Sequence, residues 1–134
     1  MEKTLAIIKP DAVAAGNATA IMDIIEKHDF GIIKTMITVL TEHEAEQFYL
    51  EHKDRPFYRE LVEFMTSGEV VVMVLECENA VLKWRDLMGA TNPAQAADGT
   101  IRKLYGSSMG NNATHGSDSL TSSAREIAFF FPHL

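Results

Sequence analysis

VVVMVLEC, residues 70–77, is the stretch from which the fold is read. Its segment 70–76 is apolar and rich in valine, a composition that predicts a strand. Downstream, ENAVLKWRDLMG (78–89) predicts a helix closed by its glycine. Upstream, FYRELVEFM (57–65) predicts a helix that starts after Pro56 and that Gly68 ends. Thr41 followed by Glu44 is a capping-box pattern for a helix reaching about Tyr49. Before it, IIKTMITVL (32–40) follows the breaker Gly31 and is strand-like. AIMDIIEKH (20–28) places Ile21, Ile24, Ile25 and His28 at helical intervals. TLAIIK (4–9) predicts a buried strand that Pro10 stops. Residues 90–126 are rich in Gly, Ser, Asn, Thr and Ala and predict a long functional loop, with one helical turn around 100–105. EIAFFF (126–131) predicts the last strand, stopped by Pro132.

The order strand–helix–strand–helices–strand–helix–loop–strand predicts a four-stranded sheet with helices packed on one face, an α+β domain. A chain of 134 residues, 46% hydrophobic and 23% charged, is expected to form one domain, 1–134, around a real core. No repeat, low-complexity tract or linker interrupts it. Twelve basic against nineteen acidic residues leave a net charge of −7. That balance argues against general attraction to nucleic acid or an anionic membrane, so any bound polyanion needs a local cluster of cations. One cysteine excludes an internal disulfide and fits a reducing compartment; Cys77 closes an apolar run and is expected to be a buried, inert thiol. The apolar run near Met1 is too short for a signal segment or a membrane span. The sequons at Asn17 and Asn112 then read as chance matches, and the cytoplasm is the expected compartment.

NNATHGSD (111–118) sets a histidine among small polar residues. A histidine is largely neutral at cellular pH and can attack without a separate base. Gly116 is expected to let a large group approach the ring, and Ser117, Asp118 or Glu126 to hold one ring nitrogen and free the other. From HGSD (115–118) alone, a solvent-exposed loop histidine is the plainer reading. A phosphoryl acceptor would need cations and donors. Lys9 at the end of the first strand, Arg85 on the helix before the loop, Arg102 within it and Thr91 at its start are the candidates. Neither a Walker loop nor G-x-G-x-x-G is present. His28, His43, His52, His115 and His133 lack metal-ligand spacing, so no metal held by protein side chains is expected and Mg²⁺ would arrive on substrate phosphates. Trp84, Phe48, Phe57 and Phe64 are expected in the core rather than as ligand stackers, with exposure the alternative for Phe57 beside Pro56.

With those residues in view, the sequence resembles the nucleoside diphosphate kinases over nearly its whole length. The likeness runs through TLAIIKPDAV (4–13), FYLEHKDRPFYRELVEFMTSG (48–68), VVVMVLECENAV (70–81), RDLMGATNP (85–93) and GTIRKLYG (99–106), then NNATHGSDS (111–119) and EIAFFF (126–131). The resemblance implies a ferredoxin-like four-stranded antiparallel sheet with helices packed on it and a long active-site loop before the last strand. It implies transfer of the γ-phosphate of a nucleoside triphosphate, typically ATP, to a nucleoside diphosphate, with Mg²⁺ and little base selectivity. On the family pattern His115 is the residue phosphorylated in a ping-pong cycle, and Glu126 with Ser117 orients its ring. Lys9, Tyr49, Arg85, Thr91, Arg102 and Asn112 match positions around the phosphates, the sugar and the histidine. Phe57 matches the aromatic that stacks on the base, with Leu61 beside it, which reverses the core reading of Phe57. Met109 stands near the nucleotide where a smaller branched residue is usual. KLYG (103–106) and AAGNATA (14–20) also depart from the family pattern, and the chain stops at Leu134. A homo-oligomer, tetramer or hexamer, is implied, with no membrane and no specific nucleic acid as partner. Two other readings stay open at this level: a nucleotide-binding module without turnover, and a phosphohistidine carrier that would have no need of a stacking Phe57.

Overall fold

The computed structural model describes all residues, 1–134. In chain order its elements are β1 (Glu2–Ile8), α1 (Pro10–Ala14), α2 (Ala18–Lys27), β2 (Gly31–Thr38), α3 (Glu42–Phe48), α4 (Tyr58–Met65), β3 (Val70–Cys77), α5 (Ala80–Met88), α6 (Ile101–Tyr105), β4 (Thr114–Gly116) and α7 (Leu120–Phe130). Short 3₁₀ turns occupy Leu50–His52 and Pro93–Gln95. Local chemistry explains most boundaries. Pro10 occupies the first turn of α1, where its missing N–H costs nothing. The Thr41 hydroxyl accepts from Glu44 N while the Glu44 carboxylate accepts from Thr41 N, so the expected capping box is formed. Gly89 ends α5 at φ 87°, a conformation that favours glycine.

The four strands form one antiparallel sheet in the order β2-β3-β1-β4. Register pairs Leu5 with Val74 and Ala6 with Met73 across the two central strands, and Ile7 with His115 at β4. The pleat sends alternate residues to opposite faces. Ala6, Ile8, Val71, Met73 and Leu75 pack on one side with Ile21, Ile25, Trp84, Met88 and Ile101. Leu5, Ile7, Val70, Val72 and Val74 pack on the other with Phe48, Tyr49, Val62 and Met65. Helices therefore cover both faces, which corrects the one-sided packing expected above. β3 is apolar on both of its faces and cannot leave either in water.

The α+β class and the four antiparallel strands agree with expectation, but the last strand lies elsewhere. Residues 126–131 are helical up to Phe130, as the end of α7. The Ser119 hydroxyl caps that helix by accepting from Ser122 N, and Ile127, Phe130 and Phe131 reach the core at helical spacing. β4 is instead the three residues Thr114–Gly116, within the stretch expected to be loop.

Candidate functional site

His115 is thus carried by a strand. The β1–β4 pairing holds its backbone, and the indole N–H of Trp84 donates to its carbonyl oxygen at 3.2 Å. Its Nε2 lies 2.9 Å from Glu126 Oε1, and the Ser117 hydroxyl donates to the same oxygen at 2.9 Å. Ser117 is fully buried and its hydroxyl also accepts from Leu5 N, so the pair is tied to the central sheet. Burial works against the charge on the Glu126 carboxylate. Hydrogen bonding and charge from His115, with Ser117 and Arg125, outweigh it and hold the carboxyl below its ordinary range. An ionised carboxylate accepts only, so Nε2 carries a proton, and in the neutral ring Nδ1 keeps the free lone pair. Phe48 and Tyr49 meet the ring edge-on, with centroids 5.4 and 6.1 Å away.

Lys9, Arg102 and Asn112 converge beside the ring, all buried. The Lys9 amine donates to Asn112 Oδ1 at 2.8 Å, and Asn112 Nδ2 donates to the Thr91 carbonyl at 3.0 Å. The Arg102 guanidinium donates to the carbonyls of Gly89 and Thr114, each at 3.0 Å, while its Nε has no partner. Burial, then the neighbouring Arg102 charge, lowers the Lys9 amine to about 8, with Asp11 opposing the fall. Burial, then Arg85, lowers Arg102 to about 10. Cations crowded in this way favour an anion between them.

These groups line a cleft of about 770 Å³ with Tyr49, His52, Phe57, Leu61, Phe64 and Met109. A smaller cavity of about 170 Å³ shares Tyr49, His52, Thr91, Arg102 and His115 with it and adds Arg85, Asp118 and Glu126. Phe57, Leu61, Phe64 and Met109 belong to the larger cleft alone, whereas Arg85 lines only the smaller one, with Phe48 and Tyr49. Phe57 is 46% exposed at the start of α4, which overturns its core reading, whereas Trp84 and Phe48 are buried as expected. The Tyr49 hydroxyl is buried without a partner, and burial with the nearby Glu126 charge raises its pKa.

Two expectations about the histidine loop are corrected. Asp118 does not hold the ring; it is exposed and pairs with Arg85 at 2.8 Å. Gly116 does not serve to admit a group to the ring. A Cβ there would lie 2.5 Å from Trp84 Cδ1 and 2.6 Å from Met88 Cε, so the glycine exists for packing. Cys77 is buried, as expected. His52, Glu60 and Asn111 also line the cleft, although the sequence reading gave them no role there. His52 sits in the 3₁₀ turn just after Tyr49 and tilts toward Phe57, with ring centroids 5.7 Å apart. Its only signal in sequence was proximity to Tyr49.

Residues 2–134 match the family model described as nucleoside diphosphate kinase. The curated nucleoside diphosphate kinase of Chlamydia trachomatis serovar L2 is 55% identical over 131 residues, 98% of this chain and 93% of that one. That of Syntrophotalea carbinolica is 53% identical over 134 residues, covering 100% of this chain and 98% of its own. Among solved structures, the Aquifex aeolicus nucleoside diphosphate kinase superposes with a TM-score of 0.96 at 42% identity, covering 97% of this chain and 94% of that one. A halophilic nucleoside diphosphate kinase from Halobacterium salinarum, solved in complex with CDP, gives 0.94 at 41% identity, covering 97% and 87%. Sequence, backbone and the convergence of cations on one oriented histidine agree, and the chain belongs to the nucleoside diphosphate kinase family.

Proposed function

We propose that this single-domain protein transfers the γ-phosphate of a nucleoside triphosphate to a nucleoside diphosphate through a phosphohistidine at His115. The observation that carries this reading is the His115–Glu126 contact at 2.9 Å, which leaves Nδ1 free in a cleft shared with Lys9 and Arg102. The Nδ1 lone pair bonds to the γ-phosphorus as the bond to the bridging oxygen breaks, and the diphosphate leaves with that electron pair. The imidazole becomes cationic, and the Glu126 carboxylate steadies the Nε2 proton without taking it. A terminal oxygen of the incoming diphosphate, already ionised, then displaces the imidazole, and Nδ1 recovers its lone pair. Lys9, Arg102 and Asn112 stabilise the charge spread over the transferring group. Arg85 and Thr91 hold the remaining phosphates, and Tyr49 walls the ring.

Mg²⁺ fits this site as part of the substrate. Lys9, Arg102 and Asn112 beside the ring are cationic or amidic; of the carboxylates lining the two cavities, Asp118 is engaged by Arg85, Glu126 by His115 and Ser117, and Glu51 by Arg125, while Glu60 is exposed. Carried on phosphate oxygens, the ion supplies charge neutralisation. Phe57 and Leu61, with Met109 in the same cleft, offer the base an apolar face that does not read its edge, so broad base tolerance follows. We take the protein to be a homo-oligomer, tetramer or hexamer; the outer strand β2, which leaves Ile33 and Ile37 40% and 64% exposed along an open edge, supports association between copies without fixing their number. No helix is long and apolar enough to cross a membrane, and a cytoplasmic location is the reading we adopt.

The test is direct. Incubation with γ-labelled ATP and Mg²⁺ should leave acid-labile label on His115, absent from His115→Ala, and added GDP should remove it as labelled GTP. No label refutes the enzyme and favours a binding module. Label that GDP cannot discharge refutes the kinase and favours a carrier.

A further inference from the structure

The turn at residues 9–11, just past the end of β1, grips residues 112–113, just ahead of the neighbouring strand β4. Lys9 N donates to the Ala113 carbonyl at 2.8 Å, and the Lys9 amine to Asn112 Oδ1 at 2.8 Å. Ala113 N donates to Asp11 Oδ2 at 3.1 Å. Ala113 itself is fully buried with φ at 72°, a left-handed conformation that the methyl group disfavours. Such a residue persists only where its surroundings over-determine it. Here both of its backbone polar groups are claimed by the same turn, and Asp11 supplies the only side chain among those contacts. The bend falls between Asn112 and the first residue of β4, two positions ahead of His115. A carboxylate beside a polyanion site hinders binding by charge, so its presence calls for another task.

We infer that Asp11 is a positioning residue for phosphoryl transfer: its carboxylate locks the left-handed bend at Ala113, and that bend sets the Lys9–Asn112 contact and the entry of His115 into the sheet. Asp11 touches no reacting atom. A second effect follows from its charge. The charged or titratable groups near the Lys9 amine are Arg102 from α6 and Asp11 from α1, with His115, Tyr49, His52 and Glu60 lining the same cleft. Of these groups, the Asp11 carboxylate opposes the fall in the Lys9 pKa.

The inference rests on the kinase reading, and wild-type protein assayed in parallel separates the two. Absent exchange and absent His115 label in wild type refute that reading, not this one. In active protein, Asp11→Ala should lower kcat about tenfold or more, since a small misplacement of a reacting group is costly. KM for the diphosphate should move by about threefold or less, because Asp11 makes no substrate contact. Adding Ala113→Gly, which adopts the bend without strain, should recover about threefold or more of the lost kcat. Asp11→Asn keeps a carbonyl acceptor for Ala113 N but no charge, so the alkaline fall of kcat/KM should begin at lower pH than in wild type. A kcat for Asp11→Ala within about twofold of wild type overturns the inference, as does a loss that Ala113→Gly cannot recover. Should Asp11→Ala fail to fold, by far-ultraviolet circular dichroism, the pair Asp11→Ala with Ala113→Gly decides: recovery of a folded protein with exchange activity supports the inference, and a pair that stays unfolded or folds without exchange overturns it.

Discussion

Replacing Gly116 with alanine separates two accounts of the same residue. A Cβ there would stand 2.5 Å from Trp84 Cδ1, 2.7 Å from Trp84 Nε1 and 2.6 Å from Met88 Cε. Neither neighbour has room to retreat, because Trp84 is 0% and Met88 1% exposed. Overpacking of this kind costs about 1–3 kcal/mol. The indole must also move away from the His115 carbonyl it now serves at 3.2 Å, losing a hydrogen bond worth about 1 kcal/mol. Together the change should destabilise the fold by about 2–4 kcal/mol, a melting temperature lower by roughly 10 °C for a domain of this size. Nucleotide-free protein followed by calorimetry and by the fluorescence of its single tryptophan would measure this. A variant that melts within about 2 °C of wild type refutes the packing argument. Normal melting with kcat reduced would instead restore the account in which the glycine admits the phosphate.

Glu126→Gln keeps the shape of the group but removes the charge that steadies the imidazole cation, and should lower kcat about tenfold or more in a steady-state exchange assay, with KM little changed. Lys9, lowered to about 8, is an ammonium below that pH and a neutral amine above it, so kcat/KM should fall as pH rises through about 8. The same shift has an opposite sign for stability. Between about 8 and the unperturbed 10.5 the unfolded chain holds the Lys9 proton and the folded chain does not, so nucleotide-free protein should gain stability as pH rises through that window in denaturant titrations. Phe57→Ala should raise KM for diphosphates of every base by about fivefold or more while leaving kcat within about twofold, because stacking is worth about 1 kcal/mol or more.

What was readable from the chain follows the range of the interactions involved. Strand β3 and the Thr41–Glu44 box are decided within a few neighbours, and both stand where their residues predict. EIAFFF was misread because a short apolar run fits either period; the deciding signal, the hydroxyl of Ser119, lies seven residues before Glu126. Helices on both faces were in principle legible, since β3 shows no alternation of polar and apolar residues. Lys9, Arg102 and His115 were singled out as types and Asn112 only through the family likeness, and their meeting depends on contacts across up to 103 positions that no local pattern encodes. Asp118 and Gly116 failed for the same reason: their partners, Arg85 and Trp84, sit more than thirty positions away. The bend at Ala113 left no trace, because an alanine carries no mark of the angle it must adopt.

Because His115 belongs to β4 rather than to a loop, the phosphoryl group that the proposed cycle places on it would be moored to the framework. Whatever takes that group must come to it, through the mouth the departing nucleotide has just vacated. Order of traffic, one guest out before the next comes in, is then built into the backbone itself.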